Sequence, residues 1–156
     1  MFIRKFLEAD LEEVSGLVIS NIRLLGKQSY SKEEANALIK ASSPQEISER
    51  WAGRETFVAT EEGKIVGVAG LKGDKVKNVF VQVPSHGKGI GKFLIEKIES
   101  LAKERELKKL WVEASLDAEK FYLKMGFKKI TQFKKKMPDG TKVRMLKMKK
   151  KLEVLE

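Results

Sequence analysis

The stretch Val79 to Leu94, VFVQVPSHGKGIGKFL, constrains this chain most. An apolar run suited to a strand meets Pro84, then a loop with glycines at 87, 89 and 91, then a helical repeat. Glycines let main-chain N–H groups approach an anion closely, and a helix start adds orphan donors at the positive end of a dipole. The stretch therefore predicts a cradle for a ligand carrying a pyrophosphate. A strand-to-helix turn that needs glycine only for its backbone angles is the plainer reading.

Three phosphate loops compete for this pattern. A P-loop needs GxxxxGK[ST]. With Gly91-Lys92 as its GK, the first glycine falls on His86 and the magnesium-holding hydroxyl falls on Phe93. A dinucleotide fingerprint needs GxGxxG, but its last glycine falls on Lys92 or Leu94. What fits is Q/R-x-x-G-x-G/A, here His86-Gly87-Lys88-Gly89-Ile90-Gly91. This resembles the coenzyme A loop of the GNAT superfamily of N-acetyltransferases. About thirty residues on, Ala118, Phe121, Tyr122, Gly126 and Phe127 stand in the order A-x-x-F-Y-x-x-x-G-F. That order is similar to the family's last helix and following strand. The opening FIRKFLEADLEEVSGL and the segment Gln28 to Ser31 resemble its early elements, in a branch of small prokaryotic members.

At 156 residues the chain suits one domain with a real core. We expect that domain over 1–150 and a short tail over 151–156. Cysteine is absent and histidine occurs once, which excludes disulfides, a thiolate nucleophile and a thiolate zinc site and argues against any metal. No apolar run reaches membrane-span length, and MFIRKFLEAD has no apolar signal core, so the expected setting is cytoplasmic. Charged residues are 35%, mostly Lys and Glu, beside four Gln and three Asn, a bias that points to a thermophilic source. From Lys120 to Lys151 there are thirteen Lys or Arg and one acid, Asp139. That run is either an electropositive face for an anionic partner or a solvated lysine surface. Nucleic acid is the weaker partner, because exposed aromatics do not interleave with the lysines.

The periodicities predict strands at Phe2 to Lys5, Thr56 to Thr60, Ile65 to Leu71, Val76 to Val83 and Lys108 to Ser115, with a final hairpin from Lys128 to Lys149. Helices are expected from Ala9 to Leu25, capped by Asp10 with Glu13 and stopped by Gly26, and from Ser31, which starts a helix with Glu34, with a restart at Pro44 and an end near Gly53. Two more run from Gly89 to about Arg105, burying Phe93 among others, and from Ala118 to Met125. Pro84 should hold Val83 extended. The order matches the α/β GNAT fold: a mixed, mainly antiparallel sheet of about seven strands flanked by about four helices.

The resemblance implies roles for particular residues. Acetyl-CoA is the implied cosubstrate, with no metal. Val79, Phe80 and Val81 would lie beside its pantetheine arm. Gly87, Lys88, Gly89, Ile90, Gly91 and Lys92 would wrap its pyrophosphate, mostly through main-chain donors. His86 stands where the family usually has Gln or Arg, and Ser115 where it often has Asn; both contacts are left open. Tyr122 would be the general acid for the leaving thiolate, since a phenol of pKa about 10 keeps its proton at neutral pH; a core tyrosine is the alternative. Glu113 is either the base for the ammonium or a solvent-facing carboxylate. The implied activity is acetyl transfer to a primary amine by direct attack; the alternative is a non-catalytic acetyl-CoA-binding regulatory module. A small-molecule or peptide amine is the expected partner, and the resemblance permits a homodimer.

Overall fold

The computed structural model describes residues 1–153. Its seven strands are β1 (Phe2–Lys5), β2 (Glu55–Glu61), β3 (Lys64–Lys72), β4 (Lys75–Val81), β5 (Lys109–Ala114), β6 (Lys128–Lys136) and β7 (Lys142–Lys151). They form one sheet in the order β1-β2-β3-β4-β5-β7-β6. Every neighbouring pair is antiparallel except β4 with β5. The α-helices are α1 (Leu11–Ser29), α2 (Lys32–Lys40), α3 (Pro44–Arg50), α4 (Ile90–Glu104) and α5 (Glu119–Lys124). No helix among the described residues is long and apolar enough to cross a membrane.

Strand alternation sends side chains to two separate cores. Phe57 and Ala59 of β2 join Leu94, Ile95 and Ile98 of α4 and Tyr122 of α5. Val58, between them, joins Val14 and Val18 of α1 and Ile47 of α3 on the opposite face. Each fully buried Leu or Ile here contributes about 1.5–3 kcal/mol. Gly67 of β3 brings α4 close to the sheet: a Cβ there would lie 2.9 Å from Leu94 and 3.1 Å from Ile90. A third cluster joins Ala37 and Ala41 of the α2 region to Met137 and Val143 of the last hairpin. Edge strand β6 is lysine-rich and mostly exposed, which discourages pairing with another strand.

The helix begun at Ser31 restarts at Pro44 as expected, because Ser43 accepts from Glu46 N at 3.2 Å and Pro44 sits in the first turn of α3. Other expectations change in detail. Helix α1 passes through Gly26 and ends where Tyr30 turns extended (φ −124°, ψ 149°). Gly26 is buried there, with Ala35 of α2 packed beside it. Asp10 does not cap α1 with its side chain; it accepts from Arg4 at 2.8 and 3.0 Å and from Leu7 N at 2.8 Å. Glu13 accepts instead from Ile65 N at 2.7 Å, tying α1 to β3. Val83 belongs to a 3-10 turn, Val83–Ser85, so the strand breaks before Pro84's neighbour rather than at it. Phe93 is 52% exposed, and Ile95 takes the core position beside Leu94. Of the expected tail, Lys151 closes β7 and Leu152 is buried, its N–H donating to Lys108 O at 2.9 Å, while 154–156 lie outside the described residues.

Candidate active site

The two central strands part company. Strands β4 and β5 pair only at Lys75–Trp111 and Val76–Val112. Beyond that point the step Phe80 to Lys77 of β4 faces the shorter step Val68 to Gly70 of β3. Strand β4 therefore carries an extra residue, and Asn78 takes φ 44°. The bulge holds β4 against β3 and opens a wedge toward β5. A Cβ on Gly70 would lie 2.8 Å from Asn78 Oδ1, so that glycine makes room for the bulged side chain. The wedge leads into a cavity of about 730 Å³ lined by Val79, Phe80 and Val81 on one side and by Glu113, Ala114 and Ser115 on the other.

The glycine loop closes one end of this cavity. Gly87 and Gly89 both hold φ 82°, a conformation that side-chain-bearing residues resist. The first intrahelical bond of α4 runs from Phe93 N to Gly89 O at 3.0 Å, so the N–H groups of Ile90, Gly91 and Lys92 have no intrahelical acceptor. The Ile90 side chain is buried in the core, leaving its main chain to the cavity side. Gly91 packs on Phe121; a Cβ would meet that ring at 2.9 Å. Lys88 and Lys92 are exposed, and Lys92 lies 3.9 Å from Glu96 one turn on.

His86 folds back on the strand. Its Nε2–H donates to Val81 O at 2.7 Å, and its own N–H donates to Val83 O at 3.0 Å. A neutral ring so placed offers only an acceptor at Nδ1, which does not suit an anion. Val81 O also accepts from Asn21 Nδ2 of α1 at 2.7 Å. Asn21 was missed in the sequence, although a buried amide within the apolar stripe of Val14, Leu17, Val18, Ile22 and Leu25 was a signal for it.

Tyr122 is buried, its ring edge-on to Phe121 and Phe127 with centroids 5.1 and 5.4 Å away. It borders the cavity. Burial pushes its phenol above the ordinary value, and the Asp117 charge pushes the same way, so the group keeps its proton at neutral pH. Ser115 opens the 3-10 turn Leu116–Ala118 without a side-chain capping bond and lines the same cavity. Tyr30 reaches the cavity from the far wall, where its hydroxyl accepts from Leu116 N at 3.1 Å. Burial pushes that phenol up to about 12.

Glu113 is half-buried at the opposite end of the wedge. Its Oε1 accepts from Lys135 Nζ at 2.7 Å and lies 3.9 Å from Lys77 Nζ. Burial raises its carboxyl, but the Lys135 hydrogen bond and the nearby lysine charges outweigh this and hold it below the usual carboxylate range. Lys77, Lys135, Arg50 and Arg54 line this end as well, none of them marked by a sequence motif. Glu34, read in the sequence only as the partner of Ser31 at a helix start, is structural: it accepts from Ser31 N at 2.9 Å and from Arg144 Nη2 at 2.8 Å, pinning α2 to β7. The Arg144 guanidinium pulls its carboxyl down to about 2. Among the described residues no three His, Asp or Glu side chains cluster as a metal site would require.

The wedge, the glycine loop and the buried tyrosine thus border one cavity. The family described as acetyltransferase (GNAT) domain matches residues 27–152, and the chain belongs to that family, whose chemistry is acyl transfer. A search of the curated proteins finds no match. Among solved structures, a GCN5-related N-acetyltransferase from Rhodopseudomonas palustris, also described as a class-II aminotransferase, is 29% identical with a TM-score of 0.90, over 97% of this chain and 95% of that one. The PaiA N-acetyltransferase from Thermoplasma acidophilum, in complex with coenzyme A, is 20% identical with a TM-score of 0.74, over 96% and 98%. A ribosomal-protein-alanine N-acetyltransferase from Brucella melitensis is 23% identical with a TM-score of 0.68, over 97% and 100%.

Proposed function

We propose that this protein moves the acetyl group of acetyl-CoA to a primary amine by direct attack. The observation that carries this reading is the β4–β5 wedge ending on a loop of unpaired main-chain donors. Val79, Phe80 and Val81 take the pantetheine arm along the wedge. The N–H groups of Gly87, Lys88, Gly89, Ile90, Gly91 and Lys92 take the pyrophosphate, with the Lys88 and Lys92 charges in support. Ser115 offers its hydroxyl to the arm from just past the end of β5. His86 acts on the coenzyme indirectly, by fastening the loop to Val81.

The amine nitrogen attacks the thioester carbonyl, a C–N bond forms, and the C–S bond breaks. The Tyr122 hydroxyl gives its proton to the departing thiolate and regains one from solvent; the new ammonium loses one. Glu113 is the carboxylate that draws in the ammonium, and a water beside it carries the proton away. Because Lys135 and Lys77 keep it weakly basic, the rate follows the ionisation of the acceptor amine itself. Most of the acceleration comes from holding amine and thioester in attack geometry. The supply of acetyl-CoA and the absence of cysteine support a cytoplasmic setting, and the Lys and Glu bias supports a heat-adapted source.

The test is thiol release from acetyl-CoA against a broad amine panel. Release that depends on added amine supports the transferase. Tight coenzyme binding with no release from any amine would leave a regulatory acetyl-CoA-binding module as the better description.

A further inference from the structure

The end of the cavity away from the glycine loop holds more positive charge than its own residues neutralise. Arg50 comes from α3, Arg54 from the turn before β2, Lys77 from β4 and Lys135 from β6. One carboxylate, Glu113, stands among them, and two of the lysines already share it. Arg50 donates to Ala41 O at 3.0 Å. Arg54 meets no carboxylate. It donates through Nη1 to the amide oxygen of Asn78 at 3.1 Å, and its Nε–H is buried with no acceptor. A guanidinium has five donors in a fork that matches a planar or tetrahedral oxyanion, and a half-buried one without a counter-charge bears part of the cost of desolvation. Burial and the Arg50 charge both disfavour the charged form of Arg54, and burial with the Lys135 charge does the same to Lys77. An incoming anion would relieve both.

We propose that the acceptor is a small amine that also bears a carboxylate or phosphate, the anion held by Arg54 and Lys77 and the amine beside Glu113. Trp51, Met137 and Met145 border the same space and suit a short apolar stem between the two groups. Polyamines and other polycations are repelled by the same four side chains. This inference rests on the acetyl-transfer reading and deepens it.

Matched acceptors test it in the thiol-release assay: O-phosphoethanolamine against ethanolamine, β-alanine against β-alaninamide, and spermidine. We expect the anionic member of one pair or both to be favoured at least about tenfold in kcat/KM, since losing it leaves buried donors unpaired. The pair showing the preference separates phosphate from carboxylate. Arg54→Gln or Lys77→Gln should bring the preference within about threefold while the acetyl-CoA Kd stays unchanged. Equal or better turnover of ethanolamine, β-alaninamide and spermidine overturns the proposal while leaving the transferase intact, and so does a preference that survives both substitutions. If acetyl-CoA binds but none of these amines reacts, the readout is the melting temperature of the coenzyme A complex with N-acetyl-β-alanine or N-acetyl-O-phosphoethanolamine. A rise in the wild type that vanishes in Arg54→Gln supports the anion site, and no rise in the wild type overturns it. Failure of coenzyme A itself to bind removes the transferase reading, and this proposal with it.

Discussion

At the glycine-loop end of the cavity the donors are main-chain N–H groups, set by Gly87 and Gly89 at φ 82° and by the first turn of α4. At the other end they are the side chains of Arg54, Lys77 and Lys135, brought from three separate elements. The first kind of site depends on backbone angle, so the side chains at 88 and 90 are free to serve solvent and core. The second depends on identities that one substitution changes. The proposed roles follow that division, a fixed coenzyme at the loop and a variable acceptor at the charged end, with Tyr122 proposed at their junction.

The largest expected effect therefore falls at the junction. Tyr122→Phe should lower kcat by about 10³-fold with little change in acetyl-CoA affinity, because only the transition state uses the hydroxyl. Thiol release at the wild-type rate across pH would show that the tyrosine is a core residue alone. At the loop end, Gly89→Val forces a β-branched residue into left-handed backbone, a strain of about 3 kcal/mol. We expect acetyl-CoA affinity to fall about a hundredfold by calorimetry while far-ultraviolet circular dichroism stays the same.

Where α2 meets β7, Glu34→Gln should cost about 2 kcal/mol by weakening charge-assisted bonds to Arg144, lowering Tm by about 4–8 °C. The sign with pH follows from Glu34 lying at about 2, below its ordinary 4.5. Its contribution is complete above the ordinary value and fades as pH falls toward about 2, so wild type and variant should converge in stability over that interval. A gap that persists at pH 2 would mean the carboxylate charge contributes little. The smallest effect is Asn21→Ala, which removes one bond to Val81 O and costs about 1 kcal/mol of stability, with a few-fold rise in KM for acetyl-CoA.

The same division explains what could be read from the chain. Turn chemistry and glycine pattern are local, so the loop, the strand before it, Ser31 with Glu34 as a cap and the final hairpin were all visible in sequence. The β4 bulge was not, because Asn78 at φ 44° depends on Gly70 across the strand pair. Nor was the Glu113–Lys135 pair, which joins two strands separated in the sheet by β7. Gly26 misled as a helix stop because its purpose is close packing against α2, a contact that only the tertiary fold creates. The sequence left the His86 contact open because its partner lies on the strand behind it: the ring fastens the loop to the end of β4.

Titrating the purified protein with acetyl-CoA by calorimetry tests the main-chain cradle most directly. One-to-one binding in the micromolar range is expected, surviving Lys88→Gln and Lys92→Gln but falling about a hundredfold in Gly89→Val. No heat at submillimolar acetyl-CoA, or full affinity in Gly89→Val, would contradict it.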